Sequence, residues 1–202
     1  MEKCRVEEKI HRLEDIDLSG TYSYADYLNW DIEERLELIR GKIFPMTRPL
    51  TRHQRVSQRV NGNLYDFLKN KTCEVFTAPF DVRLTRNTVE DKLIYTVVQP
   101  DLCVICDPAK IDAKGCVGAP DIVVEILSPG NNKKELKNKY EVYEEAGVRE
   151  YWIFQPDGKL FFKYVLNEIG NFESSRVLTS GDEVTSSVLP GFNLILDEVF
   201  ID

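Results

Sequence analysis

The sequence predicts a mixed α/β (α+β) fold, a mixed β-sheet flanked by a small number of helices. Three observations carry this. The run Ile122-Val123-Val124-Glu125-Ile126-Leu127 is apolar on both of its alternating faces, as in a strand covered on both sides. Two segments, about 51–69 and 133–146, repeat apolar residues at helical spacing. Two pairs of extended runs bracket turn residues, Arg40-Gly41 and Pro156-Asp157-Gly158-Lys159, as hairpins do. The order is helix, strands, helix, strands, which suits a sheet with helices packed on it.

The elements follow in order. Residues 1–21 read as an N-terminal arm and 22–202 as the domain. The aromatic stretch from Tyr22 to Trp30 predicts a short helix against the body. Leu36–Ile39 and Lys42–Met46 form the first hairpin. In the helix at 51–69, Val56, Val60, Leu64, Phe67 and Leu68 make the buried stripe, and Arg52, Arg55 and Arg59 lie mostly off it. Strands are expected over about 73–84, 94–106 and 120–128, with a turn at Ser128-Pro129-Gly130-Asn131. Leu136, Tyr140 and Tyr143 form the apolar stripe of the helix 133–146, and Gly147 supplies its C-terminal cap. Glu150–Phe154 and Leu160–Val165 pair as a hairpin, and 170–202 reads as short β segments and turns.

Composition narrows the function. The 202 residues, 43% of them hydrophobic, are enough for one sizeable core and short for two full domains. No apolar run nears the roughly 18 residues that cross a bilayer, so no membrane partner is expected. The N-terminus alternates charges and lacks a secretion signal, which points to a cytoplasmic location. The five cysteines, an odd count, argue against a disulfide framework. Cys103 and Cys106 have C-x₂-C spacing with no second half-site, and residues three apart on a strand face opposite ways, so both read as buried structural thiols.

The net charge of −8 argues against a uniformly basic nucleic-acid binder. Charge is uneven, however. Arg35, Arg40, Lys42, Arg48, Arg52, Arg55 and Arg59 share a span whose single acid is Glu37, and Lys133, Lys134, Lys137 and Lys139 form a second cluster. Such strips steer a polyanion to one face, or else are merely solvated surfaces.

Two segments suggest chemistry. Asp101 opens a strand in Gln99-Pro100-Asp101. Glu125 sits in the middle of a buried one, where a carboxylate is costly unless it is paired, protonated or bound to a cation. Strand pairing could bring the two side by side. Oxygen ligands of this kind hold Mg²⁺, which takes one or two protein carboxylates and keeps several waters. The competing reading makes Asp101 a turn residue and Glu125 the partner of a Lys or Arg.

At these positions the chain resembles the Uma-type restriction endonuclease family of the PD-(D/E)XK nuclease superfamily, long catalogued as a domain of unknown function. The resemblance covers roughly residues 22–200. It rests on Glu37-Leu38-Ile39-Arg40-Gly41-Lys42-Ile43, Gln99-Pro100-Asp101-Leu102 and Ala119 to Pro129. It continues at Lys139-Tyr140, Gly147 to Ile153 and Pro190-Gly191-Phe192. It implies a restriction endonuclease-like fold and an Mg²⁺- or Mn²⁺-dependent endonuclease that hydrolyses DNA phosphodiester bonds. Asp101 stands at the PD aspartate and Glu125 at the acid of the second half-motif, both as metal ligands. Glu37 matches an acidic position that completes the site. The motif lysine position holds Leu127, and Lys139 on the following helix is the matching replacement.

In this reading Arg48, Arg52, Arg55 and Arg59 hold the nucleic acid. Asp121 and His53 read chiefly as structural groups, with supporting and catalytic roles as the respective alternatives. Tyr140, Tyr143 and Trp152 read as core. A module that binds without cleaving, or an interaction domain on the same fold, is the alternative that the lost motif lysine and the acidic charge keep open. Exposed strand edges leave room for a homodimer.

Overall fold

The structure, a computed structural model, describes residues 10–86, 88–129 and 133–201, with only the backbone at 133–135. The first nine residues of the arm, the Gly130-Asn131 half of the expected turn, and the Lys133 and Lys134 side chains of the second basic cluster lie outside it.

Ser23 starts the short helix α1 (Tyr24–Tyr27) with a capping box. Its hydroxyl accepts from the Asp26 amide, and the Asp26 carboxylate accepts from the Ser23 amide. The first hairpin, β1 (Leu36–Ile39) and β2 (Lys42–Pro45), turns through Arg40 and Gly41, both at positive φ (51° and 76°). That is the conformation a two-residue hairpin turn needs. A Cβ on Gly41 would stand 2.5 Å from the Thr21 side chain, so glycine is required there for space as well. Helix α2 (Thr51–Leu68) follows and buries Val56, Val60, Leu64 and Leu68 as expected, whereas Phe67, also assigned to the stripe, is only half-buried against them.

The two long strands expected over 73–84 and 94–106 are each broken in two, which corrects the sequence reading. The first divides into β3 (Glu74–Thr77) and β4 (Val82–Arg83), the second into β5 (Val97–Val98) and β6 (Leu102–Ile105). The breaks fall at Pro79 and Pro100, which have no amide proton to give a ladder. At each break the chain leaves one sheet for another. A further hairpin, β7 (Ile111–Asp112) and β8 (Gly115–Val117), was not expected from the sequence. After it come β9 (Ile122–Ile126), α3 (Lys133–Ala146), β10 (Glu150–Gln155) and β11 (Leu160–Leu166). Gly147, at φ 91°, caps α3. The tail holds β12 (Phe172–Ser174), β13 (Leu178–Thr179), β14 (Glu183–Thr185), β15 (Asn193–Ile195) and α4 (Leu196–Val199).

Among the described residues the strands form two main sheets and a small β14–β15 ribbon. One sheet runs β2-β1-β5-β4-β8-β7, the other β12-β11-β10-β9-β6-β3. The second is mixed: β9 and β10 are parallel, joined through α3, and the other pairs are antiparallel. Its even-numbered β9 side chains, Ile122, Val124 and Ile126, pack with Trp152, Phe154 and the α2 stripe. Its odd-numbered face, with Val123, packs with Val142, Tyr143 and residues of the first sheet. Both faces of β9 are therefore covered, as its apolar run predicted.

The thiol assignment needs correction. Cys73 and Cys106 form a disulfide, while Cys103 and Cys116 are free and buried. The register Glu74↔Ile105 explains the pairing, because it sets Cys73 opposite Cys106 just beyond the β3–β6 ladder. A cross-strand neighbour of this kind cannot be read from residue spacing.

Candidate active site

The sheet-to-sheet crossing at Gln99-Pro100-Asp101 positions the site. β5 pairs with β1, which carries Glu37, and β6 pairs with β9, which carries Glu125. The crossing segment between them carries Asp101. Three acids distant in sequence thus reach one cavity of about 300 Å³, whose walls also include Lys139, His53 and Arg35.

Each acid is held by named contacts. The Asp101 carboxylate accepts from the Ile126 amide at 2.7 Å through Oδ2, and its Oδ1 lies 3.1 Å from His53 Nε2. His53 Nδ1 is buried without a partner among the described residues. Glu125 Oε1 accepts from Lys139 Nζ at 2.9 Å and from the Tyr143 hydroxyl at 2.7 Å. Glu37 Oε1 accepts from the Gln99 amide at 2.8 Å and lies 3.1 Å from Lys139 Nζ. Gln99 in turn accepts from Arg35 and donates to Asp81 and Tyr27, which ties the crossing segment to the first sheet.

The electrostatics follow from burial. Three carboxylates face one ammonium in a site where Glu37, Glu125 and Lys139 are all under a tenth exposed. Burial pushes the Glu125 carboxyl up to about 7; Lys139 opposes this, and Asp101 and Glu37 add to it. Burial alone would lower the Lys139 ammonium, but Glu125 and Glu37 outweigh it and hold the group well above its ordinary value. Burial, then the Glu125 charge, keeps the Tyr143 phenol well above its usual range, so it stays a donor.

Among the described residues no group of three or more His, Cys, Asp or Glu is gathered as a metal cluster, and Lys139 lies within ion-pair distance of both glutamates. Mg²⁺ asks less of a protein than a three-ligand cluster. Glu125 and Glu37 each keep Oε2 without a partner among the described residues, and Asp101 adds a further carboxylate on the same cavity. A hard-oxygen set with excess negative charge fits such an ion.

The sequence-derived set Asp101, Glu125, Lys139 and Glu37 therefore lines one cavity. The arginine set does not join it. Arg48 and Arg55 are exposed, Arg52 pairs with Asp157 at 3.2 Å, and Arg59 donates to the carbonyls of Val199 and Ile201. None of the four lines the cavity. Asp121 accepts from the Cys106 amide and from Arg149, a structural tie. Sequence alone does not reveal the contacts that hold the acids: Tyr143, which reads as core, also holds Glu125, His53 and the Ile126 amide hold Asp101, and Gln99 links Glu37 to Asp81. The spacing of Lys139 and Tyr143, four apart on one helix face, was a signal for the first.

Fold and site together define a restriction endonuclease-like protein. Residues 24–197 match the Uma2 family, described as "Putative restriction endonuclease", and the chain belongs to that family. A solved structure from Anabaena variabilis ATCC 29413, described as a putative nuclease belonging to DUF820, superposes with a TM-score of 0.71. The superposition covers 89% of this chain and 97% of that one at 19% identity, which speaks for the fold alone. The uncharacterized protein slr1290 of Synechocystis is 28% identical over 123 residues. That alignment takes in 60% of this chain and 61% of the length of that relative. Among the described residues no helix is long and apolar enough to cross a membrane.

Proposed function

We propose that the protein is a metal-dependent endonuclease that hydrolyses DNA phosphodiester bonds. The observation that carries this is the convergence of Asp101, Glu125 and Glu37 with Lys139 on one cavity. Asp101 and Glu125 would hold Mg²⁺ or Mn²⁺, with Glu37 beside them. When bound, such an ion polarises a phosphate oxygen and acidifies a water.

The chain's own residues do the rest. His53 and the Ile126 amide fix the Asp101 carboxylate. Tyr143 and Lys139 fix Glu125, leaving its second oxygen open. Lys139 is a buried cation at the reacting centre, and preorganised positive charge of this kind stabilises the negative charge that grows on a phosphorane-like transition state. Its arrival from α3 supplies the charge that Leu127 lacks.

The test is incubation of purified protein with supercoiled plasmid, with and without Mg²⁺ or Mn²⁺. Metal-dependent nicking that disappears in Glu125→Ala and in Lys139→Ala is the expected result. Salt-sensitive binding with no nicking would favour a non-cleaving DNA-binding module instead.

A further inference from the structure

The cavity has a wall that the proposed chemistry does not use. On α2, the residues Gln54, Ser57, Gln58 and Asn61 recur at i, i+3, i+4 and i+7, so they form one stripe, and all four line the cavity that holds Asp101 and Glu125. Their side chains make no hydrogen bond among the described residues. The helix's arginines occupy its other side, and two of them are engaged with Asp157 and with the carbonyls of Val199 and Ile201.

This division has a chemical meaning. Cations grip phosphates without regard to sequence, whereas Asn and Gln present a paired donor and acceptor that match the edge of adenine, and Ser can bond to any base. A wall built to hold the backbone would carry Arg or Lys. This wall carries neutral groups of both hydrogen-bonding senses, unspent on the protein and next to the carboxylates.

We infer that the Gln54–Asn61 face of α2 reads the base edges of the nucleotides flanking the scissile phosphate and gives the protein a sequence preference there. The inference rests on the nucleic-acid reading of the site. It assigns recognition to α2 amides and not to the arginines first expected to bind.

The experiment compares wild type with Gln58→Ala/Asn61→Ala on a random-sequence duplex library in Mn²⁺, sequencing the ends produced. Melting temperatures of the two proteins serve as the folding control, since the substituted side chains make no hydrogen bond among the described residues. Wild-type ends are expected to be biased within a few base pairs of the cut. In the variant, cleavage of the preferred sequences should fall by about tenfold more than cleavage of the rest, the discrimination expected from one bidentate amide contact. An unchanged bias, or an equal loss on every sequence, overturns the inference without touching the endonuclease reading of the site.

If wild type cuts nothing, binding selection from the same library decides. Enrichment that the variant loses upholds base reading although the endonuclease reading has failed. No enrichment, or enrichment that the variant keeps, overturns it.

Discussion

Asp101 accepts a hydrogen bond from the backbone amide of Ile126, the residue after Glu125, at 2.7 Å. The contact locks the two acidic half-sites together. It places Asp101 by the backbone of the strand that carries Glu125, so no rotamer change in Glu125 can release it. The other Asp101 oxygen is held by His53, which is buried on α2. On the proposed metal-dependent reading His53 is a positioning residue, acting through Asp101. His53→Ala is expected to raise the Mg²⁺ concentration for half-maximal cleavage by about 10–100-fold, the usual effect of removing a partner of a metal-binding carboxylate. His53→Gln, which keeps a donor, should recover part of that affinity. A pure folding defect would instead lower the active fraction and leave the metal dependence unchanged.

Lys139 gives a second prediction. It is buried between Glu125 and Glu37 with its ammonium near 3 Å from each. Removing one partner of a buried ion pair leaves an uncompensated charge, a loss of roughly 3–5 kcal/mol. Lys139→Met should destabilise the fold by about that amount in urea titration at pH 8 without metal. The double variant Lys139→Met/Glu125→Gln should regain part of it, because one stranded carboxylate is then gone. Additive losses would show that the two groups do not interact.

Glu150 gives a third, away from the site. It is fully buried on β10 and accepts from Trp152 Nε1, the Ser186 hydroxyl, and the Ser187 amide and hydroxyl, at 2.6–3.0 Å. These bonds tie β10 to the segment that leads into β15. Glu150→Ala leaves buried donors unsatisfied, at about 1–3 kcal/mol for each group that water cannot reach. The expected outcome is a large drop in unfolding free energy, with faster amide exchange between residues 186 and 200. Exchange unchanged in that segment would show that Glu150 does not hold it.

The elements most legible in the sequence were those set by local pattern. Arg40-Gly41, the α2 stripe and the double-sided run of β9 read directly, because hydrophobic period and turn chemistry are local properties; on α3 the helix was legible but its buried face is Lys139, Val142 and Tyr143, with Leu136 and Tyr140 only half-buried. Asp101, Glu125, Glu37 and Lys139 were found through the family resemblance combined with the cost of burying Glu125. What escaped was non-local. Pro79 and Pro100 are visible in the sequence, yet nothing there says that each break hands the chain to a different sheet. The Cys73–Cys106 neighbourhood depends on register. The arginines of α2 were assigned from their charge and their place off the apolar stripe, and only the packing of His53 and the 56-60-64-68 stripe fixes which flank of the helix faces the cavity.

Stability against pH provides the final prediction. In the unfolded chain Glu125 titrates near the ordinary 4.5; in the fold, burial moves it up to about 7. Below 4.5 both states are protonated and the group contributes nothing to the pH dependence. Between 4.5 and 7 the unfolded chain loses the proton while the folded one retains it, so raising the pH favours unfolding. Above 7 the loss is complete. Asp112 and Asp182, whose ion pairs hold their carboxyls below the usual range, act in the opposite sense and at lower pH. The difference between wild type and Glu125→Gln therefore isolates the effect. In chelator, the melting temperature of wild type should fall relative to Glu125→Gln as pH rises from about 5 to 7.5. On the proposed reading, in which Glu125 is a metal ligand, Mg²⁺ should reverse the trend, because a ligand carboxylate must be ionised and its release of a proton costs least at high pH. The stabilisation by Mg²⁺ should therefore be larger at pH 8 than at pH 5.5. Parallel profiles for the two proteins in chelator would mean that Glu125 titrates alike in both states, and the account of its burial would have to be abandoned.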